Sequence, residues 1–199
     1  SAKTRAGIRA AAKAAGLFTL TQPGEGARTT SQLGLCVARE TLAAANPNNM
    51  DSVFGPGAGV LGGVTGTLAE THLQPLLAGE KRASFGFTEP DNVTPTQGVI
   101  KDNQLIVNGQ KSYVTGGADA DFINCLVHVE GRGPSMVVID TDLVGVELER
   151  KFVSLDGSHH AAFKFNNVTV PSHHIIGEPG QGLPKACLLY TSDAADEGH

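Results

Sequence analysis

From Ala83 to Pro171 the sequence is a succession of short runs rich in β-branched residues: QGVIK, QLIVNG, KSYVTGG, DFINCLVHVE, SMVVID, VGVELE and AAFKFNNVTV. Turn residues separate them at Asp102-Asn103, Asn108-Gly109, Gly116-Gly117, Gly131-Arg132-Gly133 and Asp156-Gly157. Many short strands at this spacing predict an antiparallel sandwich or barrel rather than a parallel sheet wound with helices. Residues 1–82 have the opposite texture and read as helical. Ala-rich text ends at Gly16, and Thr29 or Thr30 is placed to cap a helix through SQLGLCVARETLAAA, with Leu33, Cys36, Val37 and Leu42 spaced for one buried face. NPNN at Asn46–Asn49 reads as a turn, and Asp51 or Ser52 as the cap of a short helix of small residues. THLQPLLAGEK reads as a further helix closed by Gly79, with Pro75 near its start or kinking it. Helices first and strands afterwards make the fold class α+β, an N-terminal α-helical domain (1–82) followed by an antiparallel β-barrel domain (83–180).

Composition removes several classes of function. Against 20 Asp+Glu there are 15 Lys+Arg, a net charge of −5 with no local basic cluster, so no nucleic-acid footprint is expected. No apolar run approaches the ~18 residues of a membrane span. Cys36, Cys125 and Cys187 are scattered without a CxxC, which gives neither a disulfide framework nor a zinc knuckle.

The two ends stand apart. The first residues carry Lys3, Arg5, Arg9 and Lys13 without an acid, but lack the apolar core of a secretory signal and the Ser enrichment of a transit peptide. They read as a helix entered in mid-sequence. At the other end, CLLYTSDAADE (Cys187–Glu197) resembles one reading frame of an adapter used in DNA library preparation, so 187–199 are expected to be foreign to the fold.

Three local patterns invite chemistry that their context does not support. GAGVLG at Gly57–Gly62 satisfies GxGxxG, with Glu80 downstream, but polar text with Pro56 precedes it where a dinucleotide site needs a buried strand. With 25 glycines in the chain that spacing arises readily by chance, and close packing of two helices is the better reading. His159-His160 and His173-His174 suggest a metal, yet neighbours on a strand face opposite ways and no Cys or carboxylate stands at ligand spacing. They are expected to be solvated loop residues, His128 gives no signal of its own, and no metal site is predicted. There is no GxSxG elbow for Ser-His-Asp chemistry.

Three segments of the β-rich half carry more. LLAGEKRASFGFTEP runs from a helix end into a strand closing with Phe87-Thr88-Glu89-Pro90. IVNGQKSYVTGGADADF reads as a strand, an Asn-Gly turn and a strand with Tyr113 and Thr115 on one face. FKFNNVTVPSHHIIGEPGQG is a strand ending at Pro171 and a Gly-punctuated loop. In this order and spacing they resemble the acyl-CoA dehydrogenase family: its TEP strand, its NG-x-K-x-[WY]-[IV]-T segment, and its V-x-VP followed by GE-x-G-x-G. The resemblance covers about residues 66–186 well and the first 65 loosely.

The resemblance implies FAD held by a middle β-barrel domain, with an N-terminal helical domain completing the acyl pocket and a C-terminal helical domain. It implies α,β-dehydrogenation of an acyl-CoA thioester, hydride passing to flavin N5 and electrons to an electron-transferring flavoprotein, in a homotetramer or homodimer. Carried over by position, Phe85, Phe87 and Thr88 would lie along the isoalloxazine, Tyr113 would stack on it, and the Thr115 hydroxyl would reach N5. The loop after TEP runs into DNVTPTQGVIK, shorter than the family's Gly-Ser-Asp loop, and neither Asn92 nor Thr94 is assigned its serine's place. The family's catalytic Glu belongs to the C-terminal helical domain, of which only 181–186 would be present, so no residue here is assigned as catalytic and Glu89 is expected to be structural. The polypeptide alone is then expected to be inactive and to bind FAD weakly. The expected compartment is cytoplasmic in a bacterium and mitochondrial or peroxisomal in a eukaryote. The alternatives are an acyl-CoA oxidase using oxygen, a non-catalytic binding module of the same fold, and an NAD enzyme resting on GAGVLG alone.

Overall fold

A computed structural model describes residues 2–22, 31–45, 53–155 and 157–193. The NPNN turn, the candidate caps Thr29, Thr30, Asp51 and Ser52, the turn residue Asp156 and tail residues 194–199 lie outside them. The chain divides into two compact units: residues 1–58 with 74–80, and residues 59–73 with 81–199.

The first unit is helical, with α1 (Ala2–Ala14) and α2 (Gln32–Ala45) and the short helix at Gln74–Ala78. The basic residues of α1 bind carbonyls at the end of that short helix. Arg9 Nη1 donates to Gly79 O (2.9 Å) and Lys13 Nζ to Ala78 O (2.8 Å), where the helix dipole favours cations. Gly79, at φ +71°, closes the helix as its position predicts. The cap of α2 is Ser31, whose Oγ accepts the Gly34 N–H at 3.0 Å. Of the expected buried face of α2, Leu33 (74%), Val37 (53%) and Cys36 are exposed and only Leu42 is half-buried. Periodicity identifies an apolar stripe but not whether the same chain covers it.

The second unit is a seven-stranded sheet curled around one core. Its strands are β1 (Ala83–Gly86), β2 (Gln97–Lys101), β3 (Gln104–Thr115), β4 (Phe122–Val129), β5 (Gly133–Asp140), β6 (Val146–Val153) and β7 (His159–Pro171). The order is β1-β4-β2-β3-β7-β6, with β5 also on β4. Leu105, Val107, Val127, Phe163, Phe165 and Val168 are among the residues filling the interior. Cys125 packs there too, its thiol pushed up to about 12 by burial.

The sheet is mixed, which corrects the antiparallel expectation. β1 and β2 both run parallel to β4, β1 beside Phe122–Cys125 and β2 beside His128 and Val129. They act as one interrupted strand, from which residues 87–96 leave and return without reversing direction. A turn vocabulary in the sequence does not reveal such an excursion, because no hairpin is made. The Asn108-Gly109 reading is also corrected: β3 continues through it, with the register shifting between Val107 and Gly109 against β7. Asn108 is held to β7 by its amide, donating to Asn167 Oδ1 (3.1 Å) and accepting the Asn167 N–H (2.8 Å). These cross-strand bonds and the β7 ladder outweigh the local turn preference.

GAGVLG is not a helix-packing motif either. It contains a single 3-10 turn, Gly59–Leu61, that buries Val60 and Leu61, while a side chain at Gly57 or Gly59 would meet nothing within 4 Å. The short helix of small residues predicted there is thus replaced by this turn and α3 (Gly66–Leu68), which leads into a π turn at Ala69–Leu73. The π turn gives way to the helix at Gln74–Ala78, in whose first turn Pro75 has no N–H to donate back. A helix at Gly182–Asp193 starts against β5, where a Cβ on Gly182 would stand 2.6 Å from the Ser135 carbonyl carbon.

Candidate functional site

The excursion between β1 and β2 is anchored on an ion pair. Lys111, on the interior side of β3, is 1% exposed, and its Nζ donates to Glu89 Oε1 at 2.7 Å and to Phe87 O at 3.2 Å. The same Oε1 accepts the Thr96 N–H at 2.8 Å, and Thr96 Oγ1 donates to Gln110 O at 3.1 Å. Ser112 N donates to Thr88 O at 3.0 Å, fixing the TEP segment alongside β3. Burial alone would push the Glu89 carboxyl up. The hydrogen bond from Lys111, that from the Thr96 amide, and the lysine charge outweigh it and hold the group below its ordinary 4.5.

The sign of the resulting pH dependence follows directly. A lowered folded-state value means that Glu89 contributes its stability fully above 4.5 and loses it as pH falls through the folded value. Urea midpoints followed from neutral pH into acid are expected to decline through that window, and Glu89→Gln is expected to flatten that part of the curve. Parallel profiles for both proteins would remove the ion pair as the cause.

On the outer face, three neighbouring strands build an aromatic platform. The register opposes Thr115 on β3 to His160 on β7, and His160 to Phe152 on β6. A second register shift, between Lys111 and Val114, lets Ser112 and Tyr113 face one β7 residue and turns Tyr113 outward. The Tyr113 ring lies 4.1 Å from His160 and 5.2 Å from Phe152, measured between centroids. The Arg150 guanidinium sits 4.8 Å over Phe152. Tyr113 remains 44% exposed despite these contacts. Beside it Pro90, Ser112, Glu149, Arg150 and Ala162 line an open cavity of about 350 Å³.

His160 bridges two hydroxyls, with Nδ1 3.1 Å from Thr115 Oγ1 and Nε2 2.8 Å from Ser154 Oγ. When Nδ1 carries the hydrogen it donates to Thr115, and the Thr115 O–H stays available to a ligand.

The positions singled out in the sequence fall in two groups on this face. Tyr113 and Thr115 share the outer side of β3, as their spacing predicts. Phe85 and Phe87 project together from the β1 segment, rings nearly parallel (10°) at 6.0 Å, and Thr88 follows them with its carbonyl tied to Ser112. From the sequence, Lys111 and Phe152 are assigned no role and His160 is expected to be a solvated loop residue. The parity of β3 places Lys111 inward, which is the one signal that could have found it.

Both histidine pairs are corrected. His159 and His173 are exposed, but His160 is 4% and His174 8% exposed, so one ring of each pair is covered, that of His160 beneath the outer-face aromatics. His174 Nδ1 donates to Val138 O at 3.0 Å. Burial, chiefly, holds its ring below the ordinary 6.5.

Residues 84–168 match the family model described as acyl-CoA dehydrogenase, middle domain. Acyl-CoA dehydrogenase FadE29 of Mycobacterium tuberculosis is 34% identical over 124 residues, covering 55% of this chain and 31% of its own length. Probable acyl-CoA dehydrogenase YngJ of Bacillus subtilis is 28% identical over 137 residues, 62% of this chain and 35% of its own. The chain thus spans about a third of these curated relatives. A solved structure of a putative acyl-CoA dehydrogenase from Mycobacterium abscessus superposes with a TM-score of 0.75 at 25% identity, over 93% of this chain and 51% of that one.

Proposed function

Because this chain belongs to the acyl-CoA dehydrogenase family, we propose that its sheet unit forms the flavin-facing wall of an enzyme that oxidises an acyl-CoA thioester between Cα and Cβ. The observation that carries the reading is Tyr113: a ring packed against His160 at a tilt of 34° yet 44% exposed, with the Thr115 hydroxyl alongside. A flat, conjugated ligand with a polar edge suits that combination. FAD, when bound, supplies the hydride acceptor for the dehydrogenation.

The chain's own residues hold and shield. Tyr113, backed by His160 and Phe152, offers an apolar face that excludes water. Thr115 offers a hydroxyl donor at the rim, Thr88 a second hydroxyl, and Phe85 with Phe87 an adjoining apolar edge. Glu89 is engaged with Lys111 and Thr96 and acts as a support, not as the base. Proton removal from Cα is assigned to no residue of this chain, and electrons leave to an electron-transferring flavoprotein.

FAD titration of the 199-residue chain, followed by flavin fluorescence, tests the assignment. Weak but saturable binding is expected, and Tyr113→Ala should reduce affinity about tenfold, in the range of aromatic stacking on a heterocycle. Equal affinity in both proteins, or none in the unmodified chain, would overturn it.

A further inference from the structure

His72 on the π turn, Asp140 at the end of β5 and His174 on the 3-10 turn Ser172–His174 converge within the sheet unit. One ring nitrogen of each histidine and one carboxylate oxygen all lie within 4.8 Å of one another. His72 is 2% exposed, held edge-on by Phe122 at 4.9 Å and by the His174 ring at 5.1 Å.

The hydrogen bonds around the cluster fix where the lone pairs are. Val138 O can only accept, so His174 carries its hydrogen on Nδ1 and keeps Nε2 able to ligate. Thr71 Oγ1 donates its single hydrogen to Thr67 O at 2.7 Å and therefore accepts from His72 Nδ1 at 2.8 Å. The hydrogen of a neutral His72 is thereby used, and its Nε2 lone pair faces Asp140 Oδ1 at 3.0 Å. Two electron-rich atoms at that distance require a cation between them. A proton there would serve His72 and Asp140 alone; a metal ion would serve His174 as well. Both histidines also show the arrangement of metal-bound imidazoles, one nitrogen anchored by a carbonyl or hydroxyl and the other free to ligate.

We propose that His72, Asp140 and His174 form a site for a divalent transition-metal ion, Zn²⁺ above all, with a fourth position open to water. Two imidazoles and a carboxylate are the donor set that such an ion takes. The 3.0 Å separation of His72 Nε2 and Asp140 Oδ1 suits two ligands of one ion about 2.0–2.1 Å from each. The three donor atoms, up to 4.8 Å apart, must draw together around an ion, and the Asp140 side chain, 22% exposed, gives the entry path. Lys81 Nζ, 3.7 Å from the same oxygen, is the competing cation and must swing outward. The assignment of this site does not rest on the flavin reading.

The chain, stripped with a chelator, is titrated with Zn²⁺ by calorimetry and with Co²⁺ by visible absorption. One equivalent of Zn²⁺ and the d–d bands of four-coordinate Co²⁺ are expected. His174→Gln and Asp140→Asn should each weaken Zn²⁺ at least as much as the ~10–100-fold seen for loss of an outer-shell partner. Lys81→Met, a change at a partly exposed position, should tighten it, and His173→Gln should leave it unchanged. No Co²⁺ bands would overturn the site. So would Zn²⁺ binding unaltered by His174→Gln and Lys81→Met, which would point to the exposed Cys36 and Cys187 instead.

Discussion

Glu89→Ala is expected to destabilise the sheet unit by about 3 kcal/mol, the low end of the range for breaking a buried ion pair. The low end applies because the carboxylate keeps 21% of its surface while the lysine has 0%. Removing the acid leaves the Lys111 ammonium inside the sheet with the Phe87 carbonyl as its remaining polar contact among the bonds described. It also frees the Thr96 amide and loosens the TEP excursion from β3. Replacing both partners, Glu89→Leu with Lys111→Met, should recover most of the loss, since no buried charge remains. Urea unfolding measures all three proteins. A single mutant within ~0.5 kcal/mol of the parent, the range of ordinary surface substitutions, would show that the pair does not anchor this segment.

Gly109→Ala is expected to cost at least about 3 kcal/mol, by a different route. The residue has φ +150°, and an added Cβ would stand 2.6 Å from both Cα and Oγ1 of Thr96. The Thr96 backbone cannot yield easily, because its N–H is bound to Glu89 and its carbonyl accepts the His128 N–H at 2.8 Å. Overpacking and an unfavourable dihedral therefore add at one position. Asn108→Ala, next in sequence, loses only its cross-strand bonds to Asn167 and should cost about 1 kcal/mol. Equal midpoints for the two variants would show that the packing at Gly109 relaxes freely.

The strands of the second unit are legible because period-2 patterning and turn chemistry are local properties. Parallel pairing of β1 and β2 with β4 is not, since it depends on an excursion that leaves and rejoins the same edge. Asn108-Gly109 has the residues of a turn, and only partners on β7 show that the strand continues. That Tyr113 and Thr115 share a face follows from spacing within one strand; that it is the outer face depends on the register shift between Lys111 and Val114. His160, 45 residues from Thr115, joins them through register alone. Lys111 is the instructive case: a charged residue at an inward position is explained only by the carboxylate that meets it. The alternation within each His-His pair was readable, but which ring would be covered depended on elements distant in sequence. The same holds for α2, whose apolar stripe was readable and whose exposure was not.

The pairing of β3 with β7 also sets a schedule for the nascent chain. β2–β3, β4–β5 and β6–β7 are hairpins whose partners emerge close together. β3 must wait for a partner 45 residues further on, roughly 2–9 s at common synthesis rates. During that interval the edge carrying Tyr113 has its hydrogen-bonding groups unmatched, a period open to mispairing and to chaperone capture. A chain holding every hairpin but not this closure would possess all the residues of the platform and no platform.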